Sequence, residues 1–67
     1  MAWAEEYRQE WIAQTLRVFG FINRFHIMRM FGVSDAQASL DLRRFMREHP
    51  GAMAYDGSAK RYVSNVT

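Results

Sequence analysis

Phe31-Gly32-Val33-Ser34-Asp35-Ala36-Gln37-Ala38-Ser39-Leu40-Asp41-Leu42 is the stretch whose reading decides the fold. Gly32-Val33 breaks one helical pattern and Ser34 opens another. Ser34 with Gln37 three residues on has the form of a capping box, and Asp35 suits the positive end of a helix dipole. Counted from Ala38 at about 100° per residue, the inward arc holds Asp35, Ala38, Asp41, Leu42, Phe45 and His49. The opposite arc holds Ala36, Gln37, Leu40, Arg43, Arg44 and Arg47, with three arginines and no acid. His49-Pro50-Gly51 ends this helix, because proline disfavours helical geometry in the residue before it.

Upstream, Arg24 to Phe31 reads as a two-turn helix capped by Asn23, with Phe25, Ile27, Met28 and Phe31 inward. So short a helix must be held by its neighbours. Before it, Phe21 and Ile22 allow only a short strand, and Gly20 stands where a left-handed cap closes a first helix over residues 4–19. That first helix carries apolar residues at helical spacing, with Ile12, Leu16 and Phe19 sufficient for the core. Downstream, Ala52–Tyr55 and Lys60–Ser64 are strand-like. The Asp56-Gly57-Ser58-Ala59 segment between them is a strong hairpin signal.

Helix (4–19), short strand, helix (24–31), glycine turn, helix (35–49) and hairpin (52–64) together predict a winged helix-turn-helix. It is a mainly α fold with three helices, a short strand and a two-stranded wing, filling residues 1–67 as one domain. The 67 residues include no cysteine. Disulfides, thiolate nucleophiles and cysteine-based zinc sites are thereby excluded. A domain this small buries only roughly 60% of its unfolded surface, so a deep cofactor pocket is hard to accommodate. With 49% hydrophobic and 15% aromatic residues the chain is nevertheless that of a folded protein.

The second helix of such a pair enters the DNA major groove. Gln37 has the two-point amide that pairs with adenine N6 and N7, and Arg43 or Arg44 can pair with guanine or phosphate. Leu40 can touch a thymine methyl, Ala36 leaves room for close approach, and Arg47 extends the basic arc. Ser34 opens a helix end whose free N–H groups suit a phosphate. Ser58, Lys60 and Arg61 at the hairpin tip suit the sugar-phosphate backbone. The net charge is only +2, but eight of the nine basic residues are arginine. The arginine bias fits phosphate and guanine recognition, and fits equally the codon usage of a GC-rich genome.

At this point a resemblance carries weight. Gly20-Phe21-Ile22-Asn23-Arg24, the Phe31–Leu42 stretch, Pro50-Gly51 and Tyr55-Asp56-Gly57-Ser58-Ala59-Lys60-Arg61-Tyr62-Val63 resemble the N-terminal domain of WYL-domain transcriptional repressors that guard phage-defence operons. The helix-turn-helix is also similar, more distantly, to that of DeoR-type repressors. The likeness covers roughly residues 15 to 64. It implies a dimeric repressor on an inverted repeat, with Ser39 joining the recognition helix set and Arg24 the backbone contacts. Those repressors continue into ligand-sensing and dimerisation domains that this sequence lacks, so no small-molecule ligand is expected for this chain.

The first helix is then the candidate for pairing. Trp3, Tyr7 and Trp11 form an aromatic stripe at i, i+4, i+8, suited either to a homodimer interface or to covering the intramolecular core. Alternatives to repression are a protein–protein adaptor using that stripe or the Leu40 surface, and a phage DNA-handling protein such as an excisionase or packaging subunit. Enzyme chemistry is not expected. His26 and His49 lie on different helices without a ligand set, and no HExxH, GxSxG or phosphate loop occurs. Asp35 and Asp41 read as structural acceptors, and Met28, Met30 and Met46 as packing. No cofactor or metal is expected. The acidic N-terminus and the absence of a long apolar run predict a cytoplasmic, nucleoid-associated protein with no membrane contact.

Overall fold

The computed structural model describes residues 2–65. Its elements run α1 (Ala2–Phe19), β1 (Phe21–Ile22), α2 (Arg24–Phe31), α3 (Asp35–Glu48), β2 (Met53–Asp56) and β3 (Arg61–Ser64). The three helices stand against a small antiparallel sheet of order β1-β3-β2. Phe21 pairs with Val63 and Ile22 with Tyr62, so the two-residue strand ties the start of α2 to the hairpin. Ile12 and Leu16 of α1, Ile22 of β1, Ile27 of α2, Ala38, Leu42 and Phe45 of α3 and Met53 of β2 form one buried core. Every element except β3 supplies a buried side chain, and Tyr62 packs from that strand against the cluster.

Local chemistry fixes the helix ends. Asn23 Oδ1 accepts from the His26 amide at 3.1 Å, and His26 Nδ1 accepts from the Asn23 amide at 3.3 Å. Histidine thus completes a capping box that is usually closed by glutamate or glutamine. Gly32, at φ 67°, is the left-handed cap of α2 and its N–H donates to the Met28 carbonyl at 2.8 Å. A side chain there would meet no neighbour, so its cost would be purely conformational. At α3 the Ser34 hydroxyl accepts from the Gln37 amide at 3.1 Å, but the Gln37 side chain does not return to close the box. It turns toward Asp41 instead. The hairpin loop spans four residues, with Asp56 Oδ1 accepting from the amides of Ser58 and Ala59. Its left-handed residue is Lys60, at φ 55°, and not Gly57.

Several expected core positions lie outside. Phe19 is exposed because α1 has run past the core beyond Leu16. Phe25 and Met30 are exposed on the outer side of α2, and the Arg24 guanidinium covers the Phe25 ring at 4.8 Å. Asp35, placed on the inward arc, is exposed at the first position of α3 and pairs with Arg24 at 3.1 Å. His49 leaves helical geometry (φ −130°, ψ 69°), so the helical count no longer places it. It is exposed, with its ring 4.6 Å from that of Phe45.

Candidate nucleic-acid interface

The outer surface of α3 divides into a free face and an occupied edge. Ala36, Leu40, Arg43 and Arg47 are exposed and fall within about 60° of arc at 100° per residue. Among the described residues no ion pair engages Arg43 or Arg47. Leu40 stands between Ala36 and the two arginines, 55% exposed. The first turn is open as well, with Ser34, Asp35 and Ala36 all exposed. Ser39 flanks this face and donates to Asp35 Oδ1 at 3.3 Å.

Arg44 belongs to the other edge, which faces α1. Its Nε donates to Glu48 at 2.7 Å, Nη1 to Glu5 at 3.2 Å and Nη2 to Glu6 at 2.6 Å. Three carboxylates therefore surround a guanidinium that sequence reasoning places on the free arc. The cause is rotational: Arg44 is one residue round from Arg43, which turns it to the acidic first turns of α1. Only the i, i+4 partner Glu48 was open to inference from spacing.

The same edge holds a buried network that sequence periodicity does not reveal. Arg8 of α1 reaches Asp41 through Nε at 2.7 Å and Nη2 at 3.3 Å. Gln9 Nε2 donates to the Asp41 main-chain carbonyl at 2.8 Å, and Gln37 Nε2 donates to Asp41 Oδ1 at 3.0 Å. Asp41 is 4% exposed. The inward position of Asp41 was the available signal, since a buried carboxylate needs a cation or several donors.

Of the residues read as backbone contacts, Ser58 and Lys60 are exposed at the hairpin tip. Arg61 is half-buried, with its guanidinium 4.5 Å above the Phe21 ring and its Nε buried without a hydrogen-bond partner. Arg24 pairs with Asp35 at the start of α3. Of the aromatic stripe, Trp11 and Tyr7 meet Phe31 edge-on at 5.4 and 5.8 Å, while Trp3 is exposed. Beside that stripe, Trp11, Thr15, Phe19, Phe21, His26, Arg29 and Met30 line an open, mostly apolar groove of about 500 Å³. No helix among the described residues is long and apolar enough to cross a membrane.

Three helices, a glycine turn before an exposed basic helix, and a hairpin closing the sheet form this architecture. Residues 5–67 match the family described as the BrxR transcriptional regulator winged helix-turn-helix domain. The chain belongs to that family. This BrxR-type domain is 42% identical over 62 residues to a protein of Escherichia coli (strain KTE188) named DNA-binding transcriptional repressor CapW, covering 92% of this chain and 21% of that one. It is 38% identical over 60 residues to the protein of that name from Pseudomonas aeruginosa, covering 90% of this chain and 20% of that one. The domain therefore spans about a fifth of the length of these relatives. Family and relatives are named as transcriptional regulators, not as enzymes.

The Arg44–Glu48 pair has a pH signature. Hydrogen bonding from Arg44 holds the Glu48 carboxyl below its ordinary pKa, burial opposing the shift, and holds the Arg44 proton more firmly than usual. A carboxyl whose folded pKa is depressed stabilises the fold above its unfolded pKa, near 4.3, and loses that contribution as pH falls through the folded value. The melting-temperature gap between wild type and Arg44→Met is accordingly expected to narrow from pH ~5 to pH ~3. A gap of constant size across that range would show that ionisation of Glu48 contributes nothing to what Arg44 adds to stability.

Proposed function

We propose that this BrxR-type domain binds duplex DNA sequence-specifically as the reading part of a cytoplasmic transcriptional repressor. The carrying observation is the exposed Ala36/Leu40/Arg43/Arg47 face: two cations with no ion-pair partner among the described residues and an apolar residue one turn before them. An α-helix with such a face fits the major groove, where arginine reads guanine edges or phosphates and leucine meets thymine methyls. Ser34 and Ser39 flank it, and Gln37 borders it. Ser58 and Lys60 at the hairpin tip supply backbone contacts. Arg44 acts within the fold, holding α3 to α1. Arg24 and Arg61 contribute positive potential beside the interface. The names of the relatives support this reading.

The domain pairs, in this proposal, with a second copy through α1, placing two α3 helices on an inverted repeat. Trp3, Tyr7, Trp11, Thr15 and Phe19 recur every four residues, forming the ridge that packs two helices most commonly. A two-fold axis near Trp11 brings the exposed Trp3 end of one α1 toward the groove at the exposed Phe19 of the other.

Selection of bound duplexes from a random pool tests both parts. An enriched inverted repeat is expected, and no enrichment at low salt would overturn duplex reading. Light scattering is expected to give a dimer mass for the wild type and a monomer mass for Phe19→Glu. A wild-type monomer would overturn α1 as the pairing element.

A further inference from the structure

Gln37 lies one turn before Asp41 on the edge of the α3 outer face, and its amide is not free to choose its orientation. Asp41 Oδ1 accepts from Gln37 Nε2 at 3.0 Å, while Arg8 donates to both carboxylate oxygens at 2.7 and 3.3 Å. A carboxylate paired with a guanidinium offers only lone pairs, so only the NH₂ end of a neighbouring amide can face it. Asp41 is itself held, because Gln9 anchors its main-chain carbonyl and its side chain is buried against α1. A surface glutamine ordinarily samples both flips of its amide. Here one flip is selected from behind.

We propose that the Arg8–Asp41 pair is a positioning device that makes Gln37 a one-way reader of adenine. With one N–H committed to Asp41, Gln37 presents Oε1 as an acceptor and its second N–H as a single donor. Adenine alone among the bases offers an adjacent amine donor and ring acceptor, N6 and N7, in the major groove. Guanine presents two acceptors, O6 and N7, and meets the fixed Oε1 with repulsion. Reversal of the amide, which would place the NH₂ toward guanine O6, points Oε1 at the Asp41 carboxylate and is disfavoured. Base specificity at one position is thus set from α1, a helix away from the DNA. The inference rests on the duplex-reading proposal above.

The test uses the whole chain and duplexes enriched from a random pool. Each position of the enriched site is varied through the four base pairs for wild type and Gln37→Met. One A·T pair is expected to lose its preference in Gln37→Met, with other positions unchanged. At that adenine, 7-deazaadenine or purine lacking the N6 amine is expected to cost the wild type roughly tenfold in affinity and the variant almost nothing. A G·C pair at the Gln37-dependent position, or no Gln37-dependent position, overturns the inference while duplex reading stands. Failure of every duplex to enrich marks the failure of duplex reading itself.

The positioning role has its own readouts. Asp41→Asn, whose amide can face either end of Gln37, is expected to bring guanine toward parity with adenine at that position. An Asp41→Asn protein that folds with unchanged preference overturns the lock. In the free wild type, one Gln37 side-chain N–H proton is expected to exchange more slowly than its partner proton and than the amide of the exposed Gln14, a measurement that needs no variant. Exchange of both Gln37 protons at the rate of an exposed amide overturns the lock equally.

Discussion

Reversing Arg43 and Arg47 together to glutamate is expected to abolish duplex binding while barely moving the thermal transition. Both residues are exposed and neither enters an ion pair among the described residues. The fold therefore loses only the few tenths of a kcal/mol by which Arg47 favours the negative end of the α3 dipole. Binding loses far more. Each neutralised phosphate contributes roughly 0.9 to the slope of log affinity against log salt, and a reversal adds repulsion to that loss. The expected result is at least about a hundredfold weaker binding at low salt, with a slope shallower by about two. Arg44→Met is the contrasting variant. Glu5, Glu6 and Glu48 already occupy its guanidinium, so its loss is expected to lower stability and leave the salt slope near that of wild type. Anisotropy titrations at several salt concentrations, with circular dichroism melts of each variant, separate the two roles.

The second large effect is on the fold itself. Arg8→Ala leaves Asp41 buried without its cation, and breaking a buried pair by removing one partner costs about 3–5 kcal/mol. Marginal domains hold about 5 kcal/mol in total, and each kcal/mol shifts the melting temperature of a chain this size by about 4–8 °C. Arg8→Ala is expected to be largely unfolded at 37 °C. Arg8→Met with Asp41→Leu removes both charges, and apolar replacement of a buried pair is often neutral or stabilising. The double variant is therefore expected to recover most of the loss. Urea melts of the three proteins check this, and an Arg8→Ala cost below about 1 kcal/mol would show that the pair does not hold α3 on α1.

Much of this was legible in the residues because the relevant signals are local. Gly20 closes α1 at the position expected of a left-handed cap, and Gly32, read as the break after α2, also takes left-handed geometry. The α3 periodicity sorts Ala38, Asp41, Leu42 and Phe45 inward, as the structure finds them. Periodicity fails where an element runs beyond the core or departs from helical geometry. Phe19 follows the apolar pattern of α1 yet has no core left to meet, and His49 has already left the helix.

The division of α3 into free face and occupied edge was not legible, because it depends on partners more than thirty residues away. Arg43 and Arg44 are neighbours of identical chemistry. Beyond the local partner Glu48, it is the approach of Glu5 and Glu6, 39 and 38 residues upstream, that separates a free cation from a caged one. Gln37 likewise looks like the second half of a capping box. The buried Asp41 carboxylate competes for its amide and wins, being charged and fixed by Arg8.

In the proposed complex, duplex DNA sits on the outer face of α3 and the hairpin tip. Titrating an enriched duplex into isotope-labelled protein and following backbone amide shifts tests it most directly. Large shifts are expected over residues 34–43 and 57–60, with the groove side of α1 and α2 around Thr15 and Met30 nearly still. Shifts centred on that groove, with α3 unmoved, would contradict it.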